Sequence, residues 1–175
     1  LEPVVLDWFA QGGKKWPRSG DPYTIVKPPS VFRRDKPWQR ASADGFVYLP
    51  EAVIDVTING VAEKALLYGR KPDALAEVKT HGWFGSRGYS LSEDGDPIVS
   101  VPPDKRIQCA WYMALYQVDV TYLVCLIDTH LKRTFTIRRD LEIEALLLDA
   151  ADRFWHGNVL ADVPPDPDGS DSYRK

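Results

Sequence analysis

The chain has 175 residues, 44% hydrophobic and 27% charged, with a net charge of −3 and two cysteines. That length suits one domain that buries its own core without disulfides. No apolar run reaches the roughly 18 residues of a membrane-spanning helix. Cys109 and Cys125 each sit inside an apolar run and read as buried thiols of a reducing compartment; two scattered cysteines build neither an iron–sulfur cluster nor a cysteine zinc site. Nor is there a glycine-rich phosphate loop, a nucleophile elbow or a zinc-spaced pair among His81, His130 and His156.

The distribution of charge says more than its sum. Residues 14–40 hold eight Lys and Arg against two Asp, whereas residues 140–175 hold nine Asp and Glu against three Lys and Arg. A basic first part could face phosphates. The opening Leu1-Glu2-Pro3 has neither a basic region nor a long apolar run, so no signal peptide is read there, and without an initiator Met the chain is expected to be a trimmed fragment that could have lost targeting information; a cytoplasmic location is the expectation.

In chain order, residues 1–11 read as a helix, with Val4, Val5, Trp8 and Phe9 as its apolar stripe and Gly12-Gly13 as its stop. After a Pro/Gly loop, residues 23–26 and 30–32 are short extended pieces, and Lys36-Pro37-Trp38 is a turn. Residues 44–49 form a strand with Gly45 near its start. Residues 53–58 and 62–68 flank Asn59-Gly60, a strong hairpin signal. Residues 73–80 make the next strand. Residues 82–97, rich in Gly, Ser and Asp, form a long loop of the kind that is functional or mobile. Pro102-Pro103-Asp104 opens a helix that runs to Tyr116. Residues 118–128 and 132–138 are a strand hairpin, and Asp140 caps a last helix carrying Leu141, Ala145, Leu148 and Ala151 on one face. This order predicts an α/β or α+β domain over residues 1–161, a mixed sheet flanked by helices, followed by a Pro/Asp tail over residues 162–175.

The chemistry centres on Glu77-Val78-Lys79-Thr80. Strand alternation puts Glu77 and Lys79 on one face. A bare pair of this kind is usually an ion pair, so a second carboxylate is needed. Asp73 is too far along the same strand, about 13 Å at about 3.3 Å per residue. Asp44 begins its own strand, which as a neighbour brings it to about 5 Å from Glu77. Two carboxylates with the Val78 carbonyl offer hard oxygen ligands for Mg²⁺ or Mn²⁺, and Lys79 can orient a water or stabilise charge on phosphorus. Trp83, Phe84 and Tyr89 follow closely enough to stack on bases at a DNA end.

The stretch Phe32-Arg33-Arg34-Asp35-Lys36-Pro37-Trp38-Gln39-Arg40-Ala41-Ser42-Ala43-Asp44-Gly45-Phe46-Val47, together with Glu77-Val78-Lys79-Thr80, resembles the YqaJ-type viral recombinases, the phage lambda exonuclease-like branch of the PD-(D/E)xK nucleases. The helix bearing Gln108, the Glu2-Pro3-Val4-Val5 start and the final helix resemble further parts of that family, so the likeness covers nearly the whole chain. It implies a restriction-endonuclease-like fold, with Asp44, Glu77 and the Val78 backbone binding Mg²⁺ or Mn²⁺ and Glu2 near a second metal position. Lys79 would be the catalytic lysine, and Gln108 would hold that lysine or the DNA backbone. Lys105 and Arg106 stand where the family often has an aromatic residue and are expected to meet phosphate; Ser42 and Trp83 are the other expected DNA contacts.

The resemblance further implies an exonuclease on duplex DNA with free ends, a homotrimer, and a single-strand annealing protein as partner, in a bacterial or phage-infected cell. The chain departs from the family in its longer 44–77 segment and in starting without the usual upstream helix. A structure-selective endonuclease or repair-protein nuclease module, and a DNA-binding module without catalysis, are the other readings.

Overall fold

A computed structural model describes residues 2–11, 23–49, 57–58, 61–62, 70–82, 89, 101–127 and 131–167. The chain forms two compact units, residues 1–139 and residues 140–175. The expected boundary after residue 161 falls inside the second. The expected Asn59-Gly60 turn, the 82–97 loop beyond Gly82 and Tyr89, the turn holding His130, and residues 168–175 of the tail lie outside the described residues.

In the first unit, helix α1 (Glu2–Ala10) precedes strands β1 (Thr24–Val26), β2 (Val31–Phe32), β3 (Arg40–Ala41) and β4 (Gly45–Tyr48). Strands β5 (Thr57–Ile58) and β6 (Val61–Ala62) pair antiparallel on either side of Asn59-Gly60, as that signal predicts; the rest of the two expected strands lies outside the described residues. Then come β7 (Ala74–His81), helix α2 (Pro103–Tyr116), β8 (Val120–Ile127) and β9 (Leu131–Arg138). The main sheet has five strands in the order β1-β4-β7-β8-β9. Only β7 and β8 run parallel, and α2 is part of the crossover they require. The architecture is therefore α+β with a mixed sheet, as the element order predicts.

Alternation along the central strands divides the core in two. Ala74, Ala76, Val124 and Leu126 share a cluster with Val5 and Phe9 of α1. The odd positions face α2: Leu75 packs with Tyr112 and Tyr116, and Leu123 and Cys125 pack with Cys109. The two thiols are buried and free, and burial pushes each up to about 12. In α1, Val5 and Phe9 stand one turn apart and are the buried stripe; Phe9 meets the rings of Tyr23 at 5.2 Å and Tyr122 at 5.3 Å. The start of α2 is written in Pro103, whose missing N–H costs nothing at the first turn. Its end is not written in any glycine: Gln117 takes the left-handed conformation at φ 57° and donates its N–H to Met113.

In the second unit, Asp140 accepts N–H bonds from Glu142 at 3.0 Å and Ile143 at 3.1 Å, the expected cap of α3 (Leu141–Phe154). One π-helical turn, Trp155–Val159, extends that helix and is closed by the Leu160 N–H on the Trp155 carbonyl at 2.9 Å. None of the α3 side chains is buried.

Gly45 marks a close approach of β1 and β7 to β4. A Cβ there would stand 2.8 Å from Ile25 Cγ2 and 3.4 Å from Ala76 Cβ. The Ile25 methyl is on a β-branched carbon and cannot swing aside cheaply. Gly45→Ala is expected to destabilise the fold by about 1–3 kcal/mol, read from a denaturant midpoint. The loss should shrink in an Ile25→Ala background; an equal loss in both backgrounds would place the strain elsewhere.

Candidate active site

Strands β4 and β7 pair with Gly45 opposite Ala76, so one step further out Asp44 stands opposite Glu77. The Val78 N–H donates to Asp44 Oδ2 at 2.7 Å, a side-chain bond that continues the ladder where β4 has ended. This is the neighbouring-strand arrangement expected for Asp44. Asp73, by contrast, sits at the other end of β7 and accepts the Leu49 N–H at 2.9 Å.

Glu77 is 3% exposed. Its Oε1 accepts from Lys79 Nζ at 2.5 Å and from Gln108 Nε2 at 2.8 Å. Gln108 also donates to Tyr112 Oη, one helical turn further along α2, at 3.0 Å. Gln108 thus bonds the same glutamate oxygen that accepts from Lys79. Glu77 Oε2 is buried with no hydrogen-bond partner. Burial raises the Glu77 carboxyl above the ordinary range, and Asp44 adds to this while Lys79 opposes it. Burial lowers Lys79, but the Glu77 and Asp44 carboxylates outweigh that and hold its ammonium above the usual lysine value.

Two carboxylates therefore stand beside one ammonium, and either a proton shared between Asp44 and Glu77 or a bound cation can satisfy the remaining oxygen. Asp44 and Glu77 could hold a hard divalent cation, which tolerates a partial protein shell completed by water. Among the described residues no group of three or more His, Cys, Asp or Glu gathers to form a fuller cage. Glu2 accepts from Lys27 Nζ at 3.2 Å. Glu2, Lys27 and Asp44 line one cleft of about 390 Å³ between α1 and β1. Val78 engages the site through its N–H.

Lys105, in the first turn of α2, pairs with Asp104 at 2.8 Å, and Arg106 beside it is exposed. Ser42 is exposed and its Oγ accepts from Ser30 Oγ at 3.2 Å. Trp83 and Phe84 lie outside the described residues. Tyr89 is buried, stacked on Phe135 at 5.4 Å and bonded to His81 Nε2 at 2.8 Å, and so is packed against the sheet.

Sequence reasoning missed the residues that hold the approach to Asp44. Tyr116 Oη accepts the Ala43 N–H at 3.3 Å and reaches the carbonyls of Pro29 at 2.9 Å and Ala41 at 3.2 Å. Trp111 Nε1 donates to the Arg40 carbonyl at 2.9 Å. Both tether the 29–43 stretch to the helix that bears Gln108. Nothing in the sequence distinguishes these rings from core aromatics.

No family model matches the chain, and no curated protein matches it. A likeness exists to a solved structure described as the crystal structure of SSO0001, with a TM-score of 0.42 and 15% identity, covering 89% of this chain and 56% of that one. The chain thus spans little more than half of that protein's length.

His81 ends the row Leu75, Glu77, Lys79, His81 on the α2 face of β7. Burial lowers its pKa below the ordinary 6.5, helped by Lys105 and Lys79, so the folded state favours neutral imidazole. The unfolded chain then binds more protons at mildly acid pH. Stability is expected to fall as pH drops through 6.5 towards the folded value. His81→Gln should flatten that slope in pH-dependent denaturation; an unchanged slope would exclude His81 as its source.

Proposed function

We propose that this chain is a metal-dependent deoxyribonuclease that hydrolyses phosphodiester bonds at Asp44, Glu77 and Lys79. The observation that carries the reading is the Glu77 carboxylate, buried opposite Asp44 with one oxygen held by Lys79 and Gln108 and the other without a partner. A buried ionised oxygen with no donor costs several kcal/mol unless a cation or a proton satisfies it. Asp44 and Glu77 have the hard oxygens that Mg²⁺ or Mn²⁺ prefers. When bound, such an ion supplies Lewis-acid polarisation of a phosphoryl oxygen and makes water a better nucleophile.

The protein's own groups do the rest. Gln108, steadied by Tyr112, keeps the Glu77 carboxylate in one rotamer. Lys79 stays cationic and, held against Glu77, can donate to a non-bridging oxygen as charge grows on it. Lys105 and Arg106 on the first turn of α2 provide positive charge for the flanking phosphates. Resemblance to the phage exonuclease branch supports duplex DNA with free ends as the substrate, and an endonuclease differs by also opening closed circles.

Lys79→Ala is expected to lower Mg²⁺-dependent cleavage of linear duplex DNA by about 10²-fold or more while DNA binding persists. Asp44→Asn and chelation by EDTA should each abolish it. Asp73→Asn, which touches only a backbone N–H remote from Glu77, should leave it intact. Cleavage that survives Lys79→Ala would overturn the assignment.

In the metal-free chain, Mg²⁺ binding is expected to displace the proton that the raised Glu77 pKa favours, so affinity should rise with pH through the acid range. Isothermal titration across buffers of different ionisation heat reads the released proton. Glu77→Gln should remove both the binding and the release.

A further inference from the structure

Strands β2 and β3 form a separate two-stranded ribbon, with Val31 opposite Ala41 and Phe32 opposite Arg40. Partners across an antiparallel pair share a face. Val31 and Ala41 point to one side, where Ala41 is 4% exposed. Phe32 and Arg40 share the other, and the Phe32 ring is 63% exposed. An aromatic ring turned outward beside an arginine, on a ribbon whose other face carries the partly buried Val31 and the buried Ala41, has no part in the core.

Hydrogen bonds tether the ribbon to α2 and close its turn. Trp111 and Tyr116 of α2 bond the β3 carbonyls of Arg40 and Ala41. Its turn is closed by the Arg33 N–H on Gln39 at 3.2 Å and by the Arg33 guanidinium on Asp35 at 3.1 and 2.8 Å. Arg40 Nε donates to the Pro37 carbonyl at 3.0 Å, which orients the guanidinium with one of its five N–H donors. Residues 31–41 carry four basic side chains against a single acidic one. The ribbon also runs into the site: Arg40 is four residues before Asp44, about 14 Å of chain at most.

We propose that the outward face of this ribbon, the Phe32 ring beside Arg40, binds an unpaired base of a DNA strand together with its flanking phosphate, next to the Asp44–Glu77 site. The ring offers a flat apolar surface on which any base can stack, and the fixed guanidinium supplies the charge for the backbone. The Pro37 contact already orients Arg40, so less of its side-chain entropy is lost on binding. The ribbon thus leads a strand towards the carboxylates. This rests on the nuclease reading for the identity of the strand as DNA and for the reacting site beside it.

The test separates base stacking from charge and needs no catalysis. Binding of the full chain, in EDTA, to a fluorescein-labelled oligothymidylate and to an abasic strand of equal length is followed by anisotropy. The wild type should prefer the base-bearing strand by about tenfold, the size of one base–aromatic stack. Phe32→Ala should erase that preference, and Phe32→Trp should keep it. Arg40→Ala should weaken both strands alike and reduce the salt slope by about one. Circular dichroism of each variant checks the fold. A preference that survives Phe32→Ala, or that the wild type lacks, overturns the inference while leaving the Lys79 cleavage test to judge the nuclease. Phe32-dependent binding beside cleavage indifferent to Lys79 would sink the nuclease reading and leave the strand-binding face standing.

Discussion

A carboxylate buried to 3% exposure needs compensation, and at Glu77 the protein supplies it to only one of two oxygens. Oε1 receives an ammonium and an amide; Oε2 receives nothing. Water would solvate both oxygens if the strand end were open, but α2 covers that face. The arrangement costs stability that a cored-out hydrophobic site would not. Residues that raise the free energy of the fold without a packing benefit are expected where function needs them. The neighbouring Asp44 sharpens the effect, because a second carboxylate opposite the first disfavours ionisation of the pair unless a cation joins them.

Helix α2 joins the site to the ribbon. One of its faces packs Cys109 and Met113 into the core, while Gln108 and Tyr112, one turn apart, turn to Glu77. Trp111 and Tyr116 reach the β3 backbone and the residues just before Asp44. A shift of this helix would therefore move the glutamate's support and the aspartate's approach together. The parallel β7–β8 pair, seven residues long in register, holds the two ends of the crossover and so limits such a shift. The close approach at Gly45 serves the same end from the opposite face, since it lets β1 lie tight on β4 just beyond Asp44.

The cleft between α1 and β1 brings a further contrast. Glu2 and Asp44 line the same space, yet Glu2 is balanced by Lys27 at the surface, whereas Glu77 is balanced only in part and in the interior. An exposed ion pair of this kind contributes little. The electrostatic demand of the site thus falls on the Asp44–Glu77 pair, with Glu2 at its margin.

Much was legible from local pattern. The periodicity of Val5 and Phe9, the Pro103 start of α2, the Asp140 cap, the β8–β9 hairpin and the alternation that puts Glu77 beside Lys79 are all short-range consequences of residue type. The choice of Asp44 over Asp73 also followed from strand rise alone. Other features depend on residues far apart in the chain meeting in space. Ribbon strand β3, the left-handed Gln117 end of α2, the assignment of Gln108 to Glu77 and the tethering by Trp111 and Tyr116 carry no local signature. The sequence by itself determined the longer helices and sheet strands and which side chains share a strand face, because both follow from backbone geometry and periodicity. Only the tertiary structure decided which oxygen of Glu77 is left without a donor and that Phe32 faces outward, because desolvation and hydrogen-bond supply are set by what packs around a group, not by its neighbours in the chain.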